Sequence, residues 1–285
     1  MKVFGDTLTA SVNRKGVLDI DVVKGCSQGI SRHGAKGCYD ACYAASIANL
    51  YGYDFSVSVV RKVKTHTHAR NIMNQARAAP FGFFRVGTMG DPSHSWEETV
   101  NVVCWLAPHA TPIIVTKHWQ SASDLQLGRL VEVGAIINTS ISALDSSRML
   151  LHRENEIKRY VTLGGMSVAR VVSCDFNMNN ATGARLAAIQ DGLFNHTPMI
   201  DNPLRITNKH PLVVRGIVSV RKVRDITSMK SISIPTDSET YLGHCSACPD
   251  LCGVNLFGSI GARPAAPQCE LFNNYEVTNE QPIAV

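Results

Sequence analysis

Two groups of cysteines carry the chemistry this sequence offers. Cys26, Cys38 and Cys42 stand near the amino end, with Ser27–Gly37 between the first two and Tyr39-Asp40-Ala41 between the last two. Cys245, Cys248 and Cys252 are crowded into His244–Gly253, and Cys269 follows. In a secreted chain nine cysteines would read as disulfides, but clustered cysteines in a cytosolic chain read as metal or redox ligands. Three thiolates cannot fill the four iron positions of a [4Fe–4S] cluster, so one iron in the first group would stay open to an outside ligand. A zinc site is the alternative there. In the second group, Cys245, Cys248, Cys252 and Cys269 have the number of thiolates that saturates a cluster or a structural zinc, with His244 as the substitute if Cys269 is not a ligand.

The elements around these residues must position them. Val17–Lys24 alternates apolar and polar residues and predicts a strand leading straight into the first group. Ala41–Leu50 predicts the helix that follows it. Further strands are expected at Phe83–Met89, Pro112–Thr116, Ala135–Ile141 and Val168–Cys174, with weaker ones near Met199–Ile206 and Leu212–Val220. Helices are expected from Ser95 to about Leu106, opened by a capping box to Glu98, and over Asp124–Glu132, Ser147–Leu163 and Ala181–Leu193. Strands alternating with helices mean an α/β fold with a parallel sheet. Five or six such units suit a partial or full barrel, in which reactive groups lie at the carboxyl ends of the strands. After about Arg221 the rhythm is lost. Residues 1–220 are therefore expected to form the core, with an N-terminal β-extension, and 221–285 a small cysteine-rich module that needs a staple.

The order strand, Cys38-x3-Cys42-Tyr43-Ala44, helix resembles the radical S-adenosylmethionine superfamily. It looks most like phage-encoded members in which an upstream cysteine precedes a close pair ending in Cys-Tyr-Ala. The usual spacing in that superfamily is Cys-x3-Cys-x2-Cys. Here no cysteine follows Cys42 at that distance, and Cys26 is the third ligand that the resemblance implies. Met89-Gly90-Asp91-Pro92, at the end of the second strand, resembles the Gly-Gly-Glu-Pro turn that binds the methionine amino group. There Gly90 would allow close backbone approach and Asp91 would accept from the ammonium. By the same resemblance Ser140, Ser142, Arg170 and Asn177 would contact the ribose or carboxylate, and Tyr43 would stack on adenine. Each reads equally well as an ordinary core or rim residue. The resemblance implies a partial (βα)6 TIM-like barrel. It also implies a [4Fe–4S] cluster that binds S-adenosylmethionine, reductive cleavage to a 5′-deoxyadenosyl radical, and abstraction of a substrate hydrogen atom. Members with a C-terminal extension carry an auxiliary cluster, which makes a second [4Fe–4S] cluster the expectation for the second cysteine group. Flavodoxin or ferredoxin would supply the electron.

The remaining residues bear on substrate. Lys117, His118 and Trp119 follow the third strand, where substrate contacts are expected, with a polar rim as the plain alternative. Cys174, ending the fifth strand, is a candidate donor of a hydrogen atom or proton. Cys104 reads as a small buried hydrophobe. Arg61, Lys62, Lys64, His66, His68 and Arg70 form a basic run that reads as a solvated face or as a track for a phosphate backbone. The net charge of +5 permits a polyanionic partner without requiring one, and 45% hydrophobic with 18% charged residues argues for a packed core. With the phage-like resemblance, this points to a base in DNA. The specific expectation is an isomerase that moves a glycyl attachment on an aminoacylated thymine. A peptide or small metabolite is the rival substrate, and a non-enzymatic zinc-binding nucleic-acid-binding protein is the rival class. Met1–Ala10 has no apolar leader and no stretch approaches the ~20 apolar residues of a membrane helix, so a cytoplasmic location (the host cytoplasm if phage-encoded) without membrane contact is expected.

Overall fold

The computed structural model describes residues 1–29, 42–220, 223–224, 231–233 and 245–257. Cys38, Cys269 and His244 lie outside them. The strands are β1 (Ala10–Val12), β2 (Leu18–Ile20), β3 (Val23–Lys24), β4 (Val59–Val60), β5 (Phe83–Val86), β6 (Thr111–Thr116), β7 (Ile136–Ile141), β8 (Met166–Val171), β9 (Asp175–Phe176), β10 (Met199–Asp201), β11 (Val218–Ser219), β12 (Val223–Arg224) and β13 (Ser231–Ile232). The helices are α1 (Tyr43–Leu50), α2 (His66–Arg77), α3 (Trp96–Leu106), α4 (Asp124–Glu132), α5 (Ser147–Thr162), α6 (Ala181–Leu193) and α7 (Pro211–Val214).

A seven-stranded sheet runs β1-β2-β5-β6-β7-β8-β10. β1 is antiparallel to β2, and every later neighbour is parallel. The expected α/β architecture is therefore present. Strand order follows chain order, and right-handed crossovers then place the helices on one face. The core shows this. Leu18, Ile20, Phe84, Val86, Ile114 and Ile137 pack with Ile72 of α2, Val103 of α3, Leu130 of α4 and Tyr160 of α5. Each fully buried side chain of this kind contributes roughly 1.5–3 kcal/mol. The opposite face is built from the alternate residues. Val17, Phe83, Ile113, Ile136 and Val168, at the amino ends of the strands, pack against Cys245, Leu251, Val254 and Phe257 of the C-terminal segment. That segment thus covers the amino end of the helix-free face.

Several elements differ from expectation for identifiable reasons. Val17–Lys24 is not one strand: after β2 the chain turns away, and β3 pairs with β4 instead. At the break, the Asp21 carboxylate accepts from Thr88 N and Met89 N. Phe83–Met89 stops at Val86, because Gly87 sits at φ +97. The Ser95 capping box does not form. The Ser95 side chain makes no cap bond, and a 3-10 turn at Pro92–Ser95, capped by Asp91, leads into α3 instead. The box occurs at Ser123 with Gln126, opening α4. Val168–Cys174 ends as β8 at Val171, and Leu212–Val220 divides into α7, capped by His210, and β11. The basic run leads into α2 and is engaged in part by the chain itself, while His66 and Arg70 are exposed. Arg61 is buried against Gly5 O and Thr9 Oγ1, Lys64 pairs with Asp6, and His68 Nε2 meets Leu8 O. Among the described residues no helix is long and apolar enough to cross a membrane.

Candidate functional site

Cys26 follows β3, on a loop held by glycines. Gly25 has φ +82 and donates to Met89 O at 2.9 Å, while Cys26 N donates to Phe55 O at 2.7 Å. Gly25 bridges to Gly90, where an added Cβ would lie 2.4 Å from Val23 O and 2.7 Å from Gly25 O. The close approach that requires glycine at position 90 is thus to another backbone. Gly90→Ala is expected to force the loops apart and cost about 1–3 kcal/mol, read as a lowered unfolding midpoint. Cys42 sits at the N-cap position of α1 in extended conformation. Cys26, Cys42 and Met89 pack in one cluster with Ala44, Ala45, Ala48 and Phe55. The structure therefore brings together two of the three expected thiols and the turn after the second parallel strand. Among the described residues no three His, Cys, Asp or Glu side chains gather closely enough to hold a metal ion. For the first set, Cys26 and Cys42 are thiols of the kind an iron–sulfur cluster takes and pack in one cluster beside the Gly25–Gly90 contact, while Cys38 lies outside the described residues.

The second set fits less well. Cys245, Cys248 and Cys252 are all described, yet form no metal-holding group. Cys245 N donates to Lys15 O and Cys248 N to Cys245 O, each at 3.1 Å. Leu251, Cys252 and Gly253 take left-handed conformations in succession, with φ of 43, 57 and 104. Burial, then the neighbouring Cys252 sulfur, raise the Cys245 thiol pKa.

Asp91 is fully engaged inside the protein. It accepts from Ser93 N, Ser93 Oγ, Thr116 Oγ1, Lys117 N and His118 N at 2.6–3.0 Å. That geometry gives it the role of tying two strand-end loops together and leaves no free lone pair directed at an ammonium. Burial pushes its pKa up, but His118 and these hydrogen bonds outweigh it, and the net shift is downward. Ser142 donates to Val172 O, and Asn177 donates to Gly216 O, so both hold local backbone. Cys174 is 1% exposed among Phe176, Leu186 and Leu204, and burial pushes its thiol up to about 12. It is a core residue rather than an accessible donor. Cys104 is buried, as expected.

Of the three residues expected to meet substrate, Lys117 pairs with Asp145 at 2.9 Å, beside the buried Arg153. Trp119 is 1% exposed at φ +46 and donates from Nε1 to Thr139 Oγ1. His118 lines a cavity of about 630 Å³ with Gln28, His94, Trp96, Gln120 and His152. In this cavity wall, His94 Nδ1 and Gln120 Nε2 have no partner among the described residues. Burial lowers the His118 pKa, against the opposing pull of the Asp91 carboxylate.

Tyr43 opens α1 half exposed, but its hydroxyl reaches inward to Thr88 O, and burial raises its pKa. Ser140 and Arg170 lie opposite each other in register on the helix-free face. Arg85 and Asp19 lie on that face too, joined at 3.0 Å. The sequence reading missed these two, although a lone arginine within the apolar run Phe83–Val86 was a visible signal.

No family model matches the chain, and no curated protein matches it.

Proposed function

We propose that the chain is a radical S-adenosylmethionine enzyme whose six parallel strands form a partial (βα)6 barrel. One observation carries the reading: Cys26 and Cys42 meet the Met89–Gly90 turn at the carboxyl ends of the neighbouring parallel strands β2 and β5. Such ends are where α/β folds place reactive groups. A [4Fe–4S] cluster held by Cys26, Cys38 and Cys42, together with S-adenosylmethionine, would supply reductive cleavage to a 5′-deoxyadenosyl radical and removal of a substrate hydrogen atom.

The protein's own part is positioning and exclusion of water. The Gly25–Gly90 contact fixes the cysteine loop against the turn. Asp21 orients the amides of Thr88 and Met89, and the tyrosine hydroxyl at position 43 anchors the start of α1 to the same turn. The C-terminal cysteine segment closes the amino end of the helix-free face. Its three described thiols do not form a metal-holding group, so no step is assigned to a second cluster.

Within this class, an isomerase acting on a glycyl-bearing thymine in phage DNA, supplied with electrons by flavodoxin or ferredoxin, is the specific reading. A second reading, a radical enzyme for a peptide or small metabolite, is favoured by the burial of Arg61, the contact of His68 with Leu8 O and the surface pair of Lys64 with Asp6, which leave less of the basic run to follow a phosphate backbone. The test is anaerobic reconstitution with iron and sulfide, then S-adenosylmethionine and dithionite. Formation of 5′-deoxyadenosine is expected, and iron analysis distinguishes one cluster from two. Zinc without iron or sulfide, and no 5′-deoxyadenosine, would replace the radical reading with a zinc-binding protein. Modified and unmodified DNA, peptides and metabolites are then compared as hydrogen donors.

A further inference from the structure

The cavity beside His118, about 630 Å³ in volume, is the size of a small-ligand pocket, and its wall grows out of the elements that meet at the thiols. Gln28 stands just after Cys26, and His94 just after the Met89–Asp91 turn. The wall segment His118–Gln120 is braced from several sides. Trp119 holds a left-handed conformation at φ +46, rare for a large side chain. Its Nε1 donates to Thr139 Oγ1 at 2.8 Å, its carbonyl meets His152 Nε2 at 2.9 Å, and Trp96 Nε1 donates to Gln120 O at 2.6 Å. Backbone strain held by its surroundings in this way collects at binding sites.

Two polar atoms of the wall, Gln120 Nε2 and His94 Nδ1, are buried without a partner among the described residues. The amide nitrogen calls for a carbonyl oxygen, and the imidazole nitrogen accepts from an N–H or donates, according to its tautomer. Both atoms are closed to solvent, so each side chain turns about its terminal bond to meet a guest, and that torsion is broad for Gln and His. Charge is not what the cavity offers. Among the described residues no lysine or arginine lines it, and its Glu97 is exposed. Arg153 and Lys117, the cations that act on His118, are both paired with Asp145. A phosphate or carboxylate would meet no cation in this wall.

We propose that this cavity binds an uncharged planar group of the substrate through its amide edge, a carbonyl beside an N–H. Gln120 Nε2 donates to the carbonyl and His94 Nδ1 accepts from the N–H. The lactam of a pyrimidine base and the carboxamide of a peptide share that edge. The indoles of Trp96 and Trp119, with ring centroids 5.4 Å apart, give the wall its aromatic surface. Calling the guest the substrate rests on the radical reading, whereas the hydrogen-bonding pattern does not.

The test is titration of the anaerobically purified full chain with thymidine and, separately, with N-acetylglycinamide, followed by tryptophan fluorescence. One of the two is expected to quench saturably, and which one does so tells a base from a peptide guest. Methylating the amide nitrogen of that compound, so that no N–H remains, is expected to weaken binding about three- to tenfold, and Gln120→Leu to weaken it by as much. Gln120→Leu keeps the backbone oxygen that holds Trp96 and removes a stranded amide, so it is expected to melt no lower than wild type. Ser121→Phe, a larger side chain at an exposed position of the same wall, is expected to abolish binding. The proposal is overturned if neither compound quenches, if inorganic phosphate competes, or if the methylated compound or either variant binds like wild type. Binding without 5′-deoxyadenosine formation leaves the pocket and removes the radical reading. Formation of 5′-deoxyadenosine without binding removes the pocket alone.

Discussion

Cys42→Ala abolishes 5′-deoxyadenosine formation and removes one cluster's worth of iron and sulfide, while the far-ultraviolet circular dichroism of the chain stays that of the wild type. This result is expected because Cys42 does little for the fold. Its thiol is half-buried at the N-cap position of α1, makes no cap hydrogen bond there, and is followed by the good helix formers Ala44, Ala45 and Ala48. Loss of activity in this variant therefore reports a ligand and not an unfolded protein. Cys26→Ala is the less clean partner, since Cys26 is 9% exposed in an apolar cluster and its truncation leaves a gap. Full iron content in Cys42→Ala, or undiminished cleavage, would remove Cys42 from the ligand set and with it the radical reading.

The sheet was legible because its strands obey a simple rule. Ile113, Ile114, Ile136, Ile137 and Val168 are apolar on both faces, as parallel strands covered on both sides must be. The helices α3 to α6 were anticipated, but α2 was not, because His66, His68 and Arg70 read as part of a basic run. The covering of the second face was not legible. The sequence pattern shows that Phe83 and Ile136 are buried, but not that a segment more than a hundred residues later buries them, because such contacts leave no local periodicity. The cysteines were singled out by residue type and spacing, and the turn after β5 by its resemblance to a known motif. The roles of their neighbours were not, because a carboxylate's work depends on which donors surround it. Asp91 looked like a ligand-facing acid from its place in a Gly-Asp-Pro turn, yet donors from two loops consume both its oxygens. Arg85 looked like an interruption in a strand and is instead part of a charged layer.

Asp91 and Asp21, at the ends of neighbouring strands, are expected to respond in opposite ways to loss of charge. The Asp91 Oδ1 serves Ser93 N and two hydroxyls, and Oδ2 serves Lys117 N and His118 N. An asparagine must turn its NH2 toward one group. The tolerable choice faces the hydroxyls, which can rotate to accept, and strands the Ser93 amide. Asp91→Asn is therefore expected to cost about 1–3 kcal/mol, and Asp91→Ala, which strands every donor, roughly 3–5 kcal/mol. Because the folded pKa of Asp91 is depressed, its contribution is fully present above the ordinary carboxylate range and is lost as pH falls through the folded value. The gap between Asp91→Asn and wild type should hold at neutral pH and close only in acid. Asp21 is different. Burial, then the charge of Asp19, raise its pKa against the pull of the Thr88 and Met89 amides. Its ionised form thus weakens the fold at high pH, and that penalty is relieved as pH falls through the raised folded value. An asparagine there keeps an oxygen for both amides and carries no charge to bury. Asp21→Asn is expected to raise the unfolding midpoint at alkaline pH and to converge with wild type on acidification. Urea unfolding of the two variants across pH checks both signs, and an Asp91→Asn midpoint equal to wild type at neutral pH would mean that the carboxylate is not the tie between the loops.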